Sequence, residues 1–268
     1  MDKWDYDLVW VDKGVFIKPE IIQKLATHSK LMVHFTPDPA FTYHRSKLFF
    51  DAIKYYDYCI TSKLFEVESY YQKGGKNVLT CTQGYHPDIH KPYYSFEEKE
   101  GVVFIGHHEK NREIVVEEIL KEGISLTLAG IGWKNLAKKW NNKSHFHYLG
   151  DGVFANEYAQ VISKALIGIG FLSKIIPEEH TTRTLEIPAC GTVLLTESTR
   201  ETRSIFMEDE ALFFNSPEEI VGILKRTLKD KPLLRAISER GTAKTIRDGY
   251  DYKSILIRIL KQMNITRT

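Results

Sequence analysis

The sequence predicts an α/β protein built from two doubly wound parallel sheets. Two observations lead there. Short apolar runs alternate with segments whose apolar residues recur at helical spacing, which is the pattern of βαβ units. That alternation stops over residues 84–101, in "GYHPDIHKPYYSFEEKEG", and then restarts. Two such sets imply two Rossmann-like domains facing a cleft, with ligands expected outside the carboxyl ends of the strands.

The elements follow in order. "DLVWV" (7–11), "LMVHF" (31–35), "YCITS" (58–62) and "NVLTC" (77–81) read as strands. Between them lie three helical patterns, "PEIIQKLATH", "YHRSKLFFDAIKYY" and "LFEVESYYQKGG". Pro19 suits the first turn of its helix, and Gly74-Gly75 stops the third. Residues 84–101 hold two prolines, several charges and no period, and read as an interdomain linker. The second set brings strands at 101–106, 125–130, 145–150, 167–172, 192–197 and 211–214, with helices near 111–122, 155–165, 182–190 and 217–229. The remaining tail is helical. The expected division is an N-terminal Rossmann-like domain over 1–93 and a second, ligand-binding Rossmann-like domain over 99–249, with the helix at 250–268 packing back on the first. Four strands make the first sheet abbreviated. Either it is reduced, or an opening βαβ unit lies outside this chain, which would call for a partner subunit.

Composition narrows the function. A net charge of +2 over 268 residues is too balanced for a nucleic-acid-binding domain. Cys59, Cys81 and Cys190 are far apart and form no CxxC, so a reduced, cytoplasmic setting is expected. The longest apolar run, "ALIGIGFL" (165–172), falls far short of the roughly 20 residues that span a bilayer. The amphipathic stretch "YKSILIRILKQMN" permits at most peripheral membrane contact.

Chemistry is expected at two strand ends of the second domain. After "VVFI" comes Gly106, where a missing side chain lets backbone approach a ligand, and then a helix whose first turn carries Arg112. Free N–H groups, the helix dipole and an arginine suit a phosphate or diphosphate, although a first-turn arginine also fits a solvated surface. The second place is "PEEHTTRTLEIPACGTVLLTE". Thr181 or Thr182 is expected to cap a short helix starting near Arg183. Glu178 on the loop and Glu186 one turn into the helix would both face the cleft, and Arg183 would join the helix N–H groups on a diphosphate. Pro188 is tolerable in so short a helix, and Gly191 supplies its left-handed end. In the first domain, "LMVHFTPDPAF" puts His34 and Asp38 at a strand end, as candidates for acceptor binding or proton transfer against the plainer readings of a structural histidine and a turn aspartate.

Several motifs carry less. "DYD" (Asp5, Asp7) has the D-x-D form but precedes the first strand instead of following one. His107-His108 and His145/His147 lack a third ligand, so no metal site is expected. The glycines of "IGIGFL" lie inside a strand, where they ease packing.

The pattern E-x7-E running into "LEIPACGTVLL" resembles the donor-site signature of GT-B glycosyltransferases. With an arginine before it, the block looks most like the CgeB-type spore maturation branch, which resembles family 4 transferases. "VVFIGHHEKNRE", "HFTPDP…YDYCITSK" and "PEEIVGILKRTLKD" extend the likeness over most of the chain after about residue 7. The resemblance implies two Rossmann-like domains, a nucleotide-sugar donor, no bound metal and no further cofactor. It implies that Glu186 holds the donor ribose, that Glu178 lies near the donor sugar, and that Gly106, Arg112 and Arg183 meet the diphosphate. Two departures stand out. His107 takes the place of the usual basic residue after that glycine, and the glycine-rich loop of the N-terminal domain is not visible. The function expected is hexosyl transfer from a nucleotide-sugar to an unknown glycan, protein or small-molecule acceptor. A non-catalytic nucleotide-binding subunit and a nucleotide-sugar 2-epimerase remain the alternatives, because fold alone does not fix function.

Overall fold

A computed structural model describes residues 6–43 and 45–265. Asp5, half of the D-x-D pattern, and residues 266–268 of the last expected helix lie outside the described residues, while Asp7 pairs with Lys30. The chain divides into two compact units. The first comprises residues 1–83, 175–177 and 253–268, and the second residues 84–174 and 178–252.

The first unit is a four-stranded parallel sheet. Its strands run in sequence order: β1 (Val9–Asp12), β2 (Met32–Thr36), β3 (Tyr58–Thr61) and β4 (Val78–Thr80). The connections hold α1 (Pro19–Thr27), α2 (Lys47–Ala52) and α3 (Val67–Gln72). Pro19 does open α1, and the Ser46 hydroxyl accepts from the Phe49 N–H to cap α2. One face of the sheet packs Val11, Met32 and Cys59 onto Ile22, Phe49, Ile53 and Tyr70.

The second unit is a six-stranded parallel sheet. It brings β5 (Val102–Ile105), α4 (Lys110–Lys121), β6 (Leu126–Ala129), α5 (Lys134–Trp140), β7 (Phe146–Tyr148), α6 (Ala155–Lys164) and β8 (Ile167–Gly170). Then follow α7 (Arg183–Ala189), β9 (Val193–Glu197), α8 (Arg200–Ile205), β10 (Leu212–Phe214), α9 (Glu219–Thr227) and α10 (Lys231–Arg247). The strand order is β10-β9-β8-β5-β6-β7. It reverses between β5 and β8, so the switch point where doubly wound sheets bind ligands lies beyond Ile105 and Gly170. Both faces are covered, as a parallel sheet requires. Val102 and Phe104 of β5 join the core under α4, α5 and α9, and Val103 joins the core under α6, α7 and α8.

Helices α5 and α8 are not expected from periodicity. Each is short, and each buries only two residues, Leu136 and Ala137 in one and Thr202 and Ile205 in the other. The last helix, α11 (Tyr252–Gln262), sets Ile255, Ile259 and the following Met263 against Val33 and Ile60 of the first unit's sheet.

Residues 84–101 are not a free linker. Tyr85 is buried, its N–H donates to the Tyr250 carbonyl, and its own carbonyl accepts from the Tyr252 N–H. Tyr85, Ile89 and Tyr93, four residues apart, all pack on the core under α6 and α7. Lys99 is buried too, and its ammonium bonds the Ser163 carbonyl. The aromatic residues tie the segment down despite its prolines and charges. Among the described residues, no helix is long and apolar enough to cross a membrane.

Candidate nucleotide site

A cavity of about 430 Å³ opens at the switch point of the second unit. Its floor is built from glycine. Gly106 directly follows β5 and Gly130 directly follows β6, and both line it. Gly130 has φ +139°, and a Cβ there would lie 2.0 Å from the Gly106 carbonyl oxygen. Neither backbone could approach the other so closely with a side chain between them. The Trp133 indole N–H donates to the same Gly106 oxygen at 2.8 Å and braces the turn. His108 stacks edge-on against Trp133 and bonds Glu113, which holds the start of α4 to the same turn.

Helix α7 supplies the far wall. Thr182, Arg183 and Glu186 all line the cavity. The Arg183 guanidinium donates from Nη2 to the Phe171 carbonyl at 3.2 Å, while its Nε is buried with no hydrogen-bond partner among the described residues. Glu186 accepts from the Tyr158 hydroxyl at 2.6 Å through Oε2, and its Oε1 lies 3.8 Å from the His90 Nε2. Burial, followed by the charge of Glu186, pushes the Tyr158 hydroxyl well above its ordinary pKa, so it remains a donor. The rim is apolar. Ile131 and Phe154 line it, and Phe154 is 78% exposed. Ala155, the next lining residue, opens α6 with φ +50°, a conformation that non-glycine residues adopt at a cost.

The loop before α7 is clamped by the unexpected α8. The Thr199 hydroxyl donates to the Glu179 carbonyl at 2.7 Å, the Glu201 N–H donates to the Glu179 carboxylate at 3.2 Å, and buried His180 pairs with Glu201.

The cavity thus gathers Gly106, Thr182, Arg183 and Glu186, but other expected residues take different places. Thr182 is no cap: its backbone is already helical, with φ −54° and ψ −39°, and no side chain caps α7. The Thr181 N–H donates instead to the Thr184 hydroxyl. Arg112 does not line the cavity. As the third residue of α4 its side chain leans back along the helix, donating to the His107 carbonyl at 2.9 Å and pairing with Glu109 at 2.5 Å. It is 4% exposed and braces the loop after β5. Glu178 is half-buried outside the lining, and its charge acts on Arg112.

In the first unit, His34 is not at a strand end. β2 runs on to Thr36, and His34 sits mid-strand opposite Val11 and Cys59. Its ring is fully buried against Phe49, Tyr56 and Tyr70, and Nε2 donates to the Lys13 carbonyl at 2.9 Å. Burial pulls its pKa down to about 4. It is a neutral core residue and cannot reach an acceptor. Asp38, beyond the strand, pairs with Lys13.

Sequence reasoning missed Tyr158, His90, Gly130 and the Ile131–Phe154 rim. The glycines that close "SLTLAG" and open "GDGVF" directly after strands were a usable signal. Tyr158 and His90 carried none, since only the fold brings them to Glu186.

The same fold recurs in solved proteins. The sucrose-phosphate synthase of Thermosynechococcus elongatus superposes with a TM-score of 0.67 at 14% identity, over 97% of this chain and 73% of its own. Anabaena HepE in complex with UDP gives 0.70 at 13%, over 97% and 79%, and its complex with UDP-glucose gives 0.69 over the same shares. The α,α-trehalose 6-phosphate synthase of Burkholderia multivorans gives 0.65 at 11%, over 98% and 72%. These are GT-B glycosyltransferases, and this chain shares their α/β fold with parallel sheets. No curated protein matches the sequence. A family profile described as Glycosyl transferase-like matches residues 111–261, more than half of the chain and nearly all of the second unit's helices and strands beyond β5, and the protein therefore belongs to the Glycosyl transferase-like family.

Proposed function

We propose that the protein transfers a sugar from a nucleotide-diphosphate-sugar to an acceptor, without a bound metal. One observation carries this reading: Arg183 and Glu186, one turn apart on α7, both line a glycine-floored cavity at the sheet's switch point. A cation and a carboxylate so spaced match the two polar ends of a nucleoside diphosphate, the phosphates and the ribose hydroxyls. Arg183 has donors left for the leaving diphosphate. Fixed donors aimed at developing negative charge are an effective source of rate enhancement. Gly106 and Gly130 let the phosphates approach the backbone, and Ile131 and Phe154 offer apolar surface to a base. HepE crystallised with UDP and with UDP-glucose makes uridine the first base to test. The assignment of Glu178 to the donor sugar, of the CgeB-type branch and of hexosyl transfer rests on sequence resemblance, and that of Asp38 to the acceptor on its place beyond a strand.

Thermal shifts with UDP-, GDP-, TDP- and ADP-sugars test the donor, because a ligand that binds only the folded state raises the melting temperature. Transfer is then assayed with a chelator present. Arg183→Ala is expected to lower turnover on the confirmed donor by about 100-fold. Near wild-type turnover in that variant would remove Arg183 from the mechanism. Binding without transfer to any acceptor would point to a non-catalytic subunit, and a changed sugar without acceptor to an epimerase.

A further inference from the structure

Glu186 is not alone in its corner of the cavity. Tyr158 from α6 and His90 from the segment before β5 meet it there, and all three line the cavity. The Tyr158 O–H to Glu186 Oε2 distance of 2.6 Å is that of a hydrogen bond to a charged acceptor. The other oxygen, Oε1, is 3.8 Å from the His90 ring nitrogen, too far for such a bond. The imidazole meets the Tyr158 ring edge to face, with centroids 5.8 Å apart, and so packs the tyrosine from the side. A carboxylate held at one oxygen loses its freedom to turn. Its remaining lone pairs then point to one place and accept only.

We infer that Tyr158 is a positioning residue that fixes the Glu186 carboxylate so that Oε1 receives hydroxyl donors, making the site selective for nucleosides with an intact vicinal diol. The inference rests on the nucleotide-sugar reading above and goes beyond it by naming the residue that sets the ribose preference. The chemistry demanded of the ligand is specific. An acceptor-only oxygen wants O–H donors, and neighbouring hydroxyls supply two. A nucleoside lacking them leaves a partly buried carboxylate oxygen without a partner, which is the costly outcome for such a site.

Calorimetric titration with UDP and with 2′,3′-dideoxy-UDP tests this on four proteins: wild type, Tyr158→Phe, Glu186→Gln and the double variant. Wild type is expected to prefer UDP by about tenfold or more, the factor typical of one hydrogen bond to a charged group. Tyr158→Phe keeps the packed ring and should reduce the preference to about threefold, leaving the dideoxy affinity within about twofold. In the Glu186→Gln background, Tyr158→Phe should change the preference no further. A preference that stays at its wild-type value in Tyr158→Phe overturns the inference. So does an equal loss for both nucleotides, or a further loss in the Gln background, since either marks a role in packing only. A wild-type protein that binds none of the four nucleotide-sugars of the thermal-shift screen overturns the nucleotide reading itself, and this inference with it.

Discussion

The carboxyl ends of the two sheets are built in opposite ways. In the first unit the polar groups there satisfy one another. Glu66 is 1% exposed and accepts from the Ala40 and Phe41 N–H groups at 2.8 and 2.9 Å. The Ser62 hydroxyl donates to the Pro37 carbonyl, and the Thr61 hydroxyl accepts from the Lys63 N–H. In the second unit the strands end on glycines, and the polar side chains come from a helix across the gap. The contrast teaches that ionisable residues near a strand end do not make a site. Space does, and here two glycines hold it open, while Arg183 and Glu186 keep hydrogen-bonding capacity to spare.

The strongest way to break the contrast is to fill the floor of the second sheet. Gly130→Ala places a methyl group 2.0 Å from the Gly106 carbonyl oxygen, in a backbone conformation with φ +139°. Neither atom belongs to a flexible side chain, so the two strand ends must part. The expected cost is at least about 3 kcal/mol in urea unfolding, with nucleotide binding lost. A variant with unchanged stability and binding would show that the close approach is not needed to shape the cavity.

The next test addresses the filled end of the first sheet. His34 has a pKa of about 4 in the folded protein, against about 6.5 for a free histidine. Below pH 6.5 the unfolded chain takes up a proton that the folded one refuses. Stability from this group is therefore complete above about pH 6.5 and falls as the pH drops toward 4, by about 3 kcal/mol in all. His34→Phe keeps an aromatic ring among Phe49, Tyr56 and Tyr70 but cannot titrate. Its unfolding free energy should fall less steeply over that window, so the difference between the two proteins shrinks by about that amount. Parallel pH profiles for wild type and variant would mean that His34 takes up its proton in the fold as readily as in the unfolded chain.

What the sequence made legible follows the reach of its signals. The ten strands stood out because apolar runs and their flanking glycines are local. Arg183 and Glu186 were readable as a pair because one helix carries both. His34 was misplaced because β2 runs one residue past its apolar run, to Thr36, which turns a strand end into mid-strand. Arg112 was placed in the right turn, but its competitor Glu109, three residues away, could not be weighed against an absent ligand. Tyr158 lies 28 residues from Glu186, and nothing local in either segment announces their hydrogen bond. The loop over residues 84–101 read as a linker because charge and proline dominate its composition, whereas its fate is decided by Tyr85, Ile89 and Tyr93.

The smallest expected effect sharpens the comparison most cleanly, because it separates binding from stability. Three aromatic rings of the first unit, Phe49, Tyr56 and Tyr70, are fully buried. Phe154 at the mouth of the second unit's cavity is 78% exposed, so it contributes little to the folded state. Phe154→Ala should change unfolding free energy by less than about 0.5 kcal/mol, as surface substitutions usually do. If the ring stacks on the base of a bound nucleotide, the same change should weaken binding by about fivefold to tenfold, the lower part of the range for base–aromatic stacking. Ile131 across the rim would keep some apolar contact, which argues for that lower part. Calorimetry on the variant decides the matter. Unaltered affinity would place the base elsewhere in the cavity, while a large loss of stability would mean that Phe154 supports the positive-φ turn at Ala155 as well as the ligand.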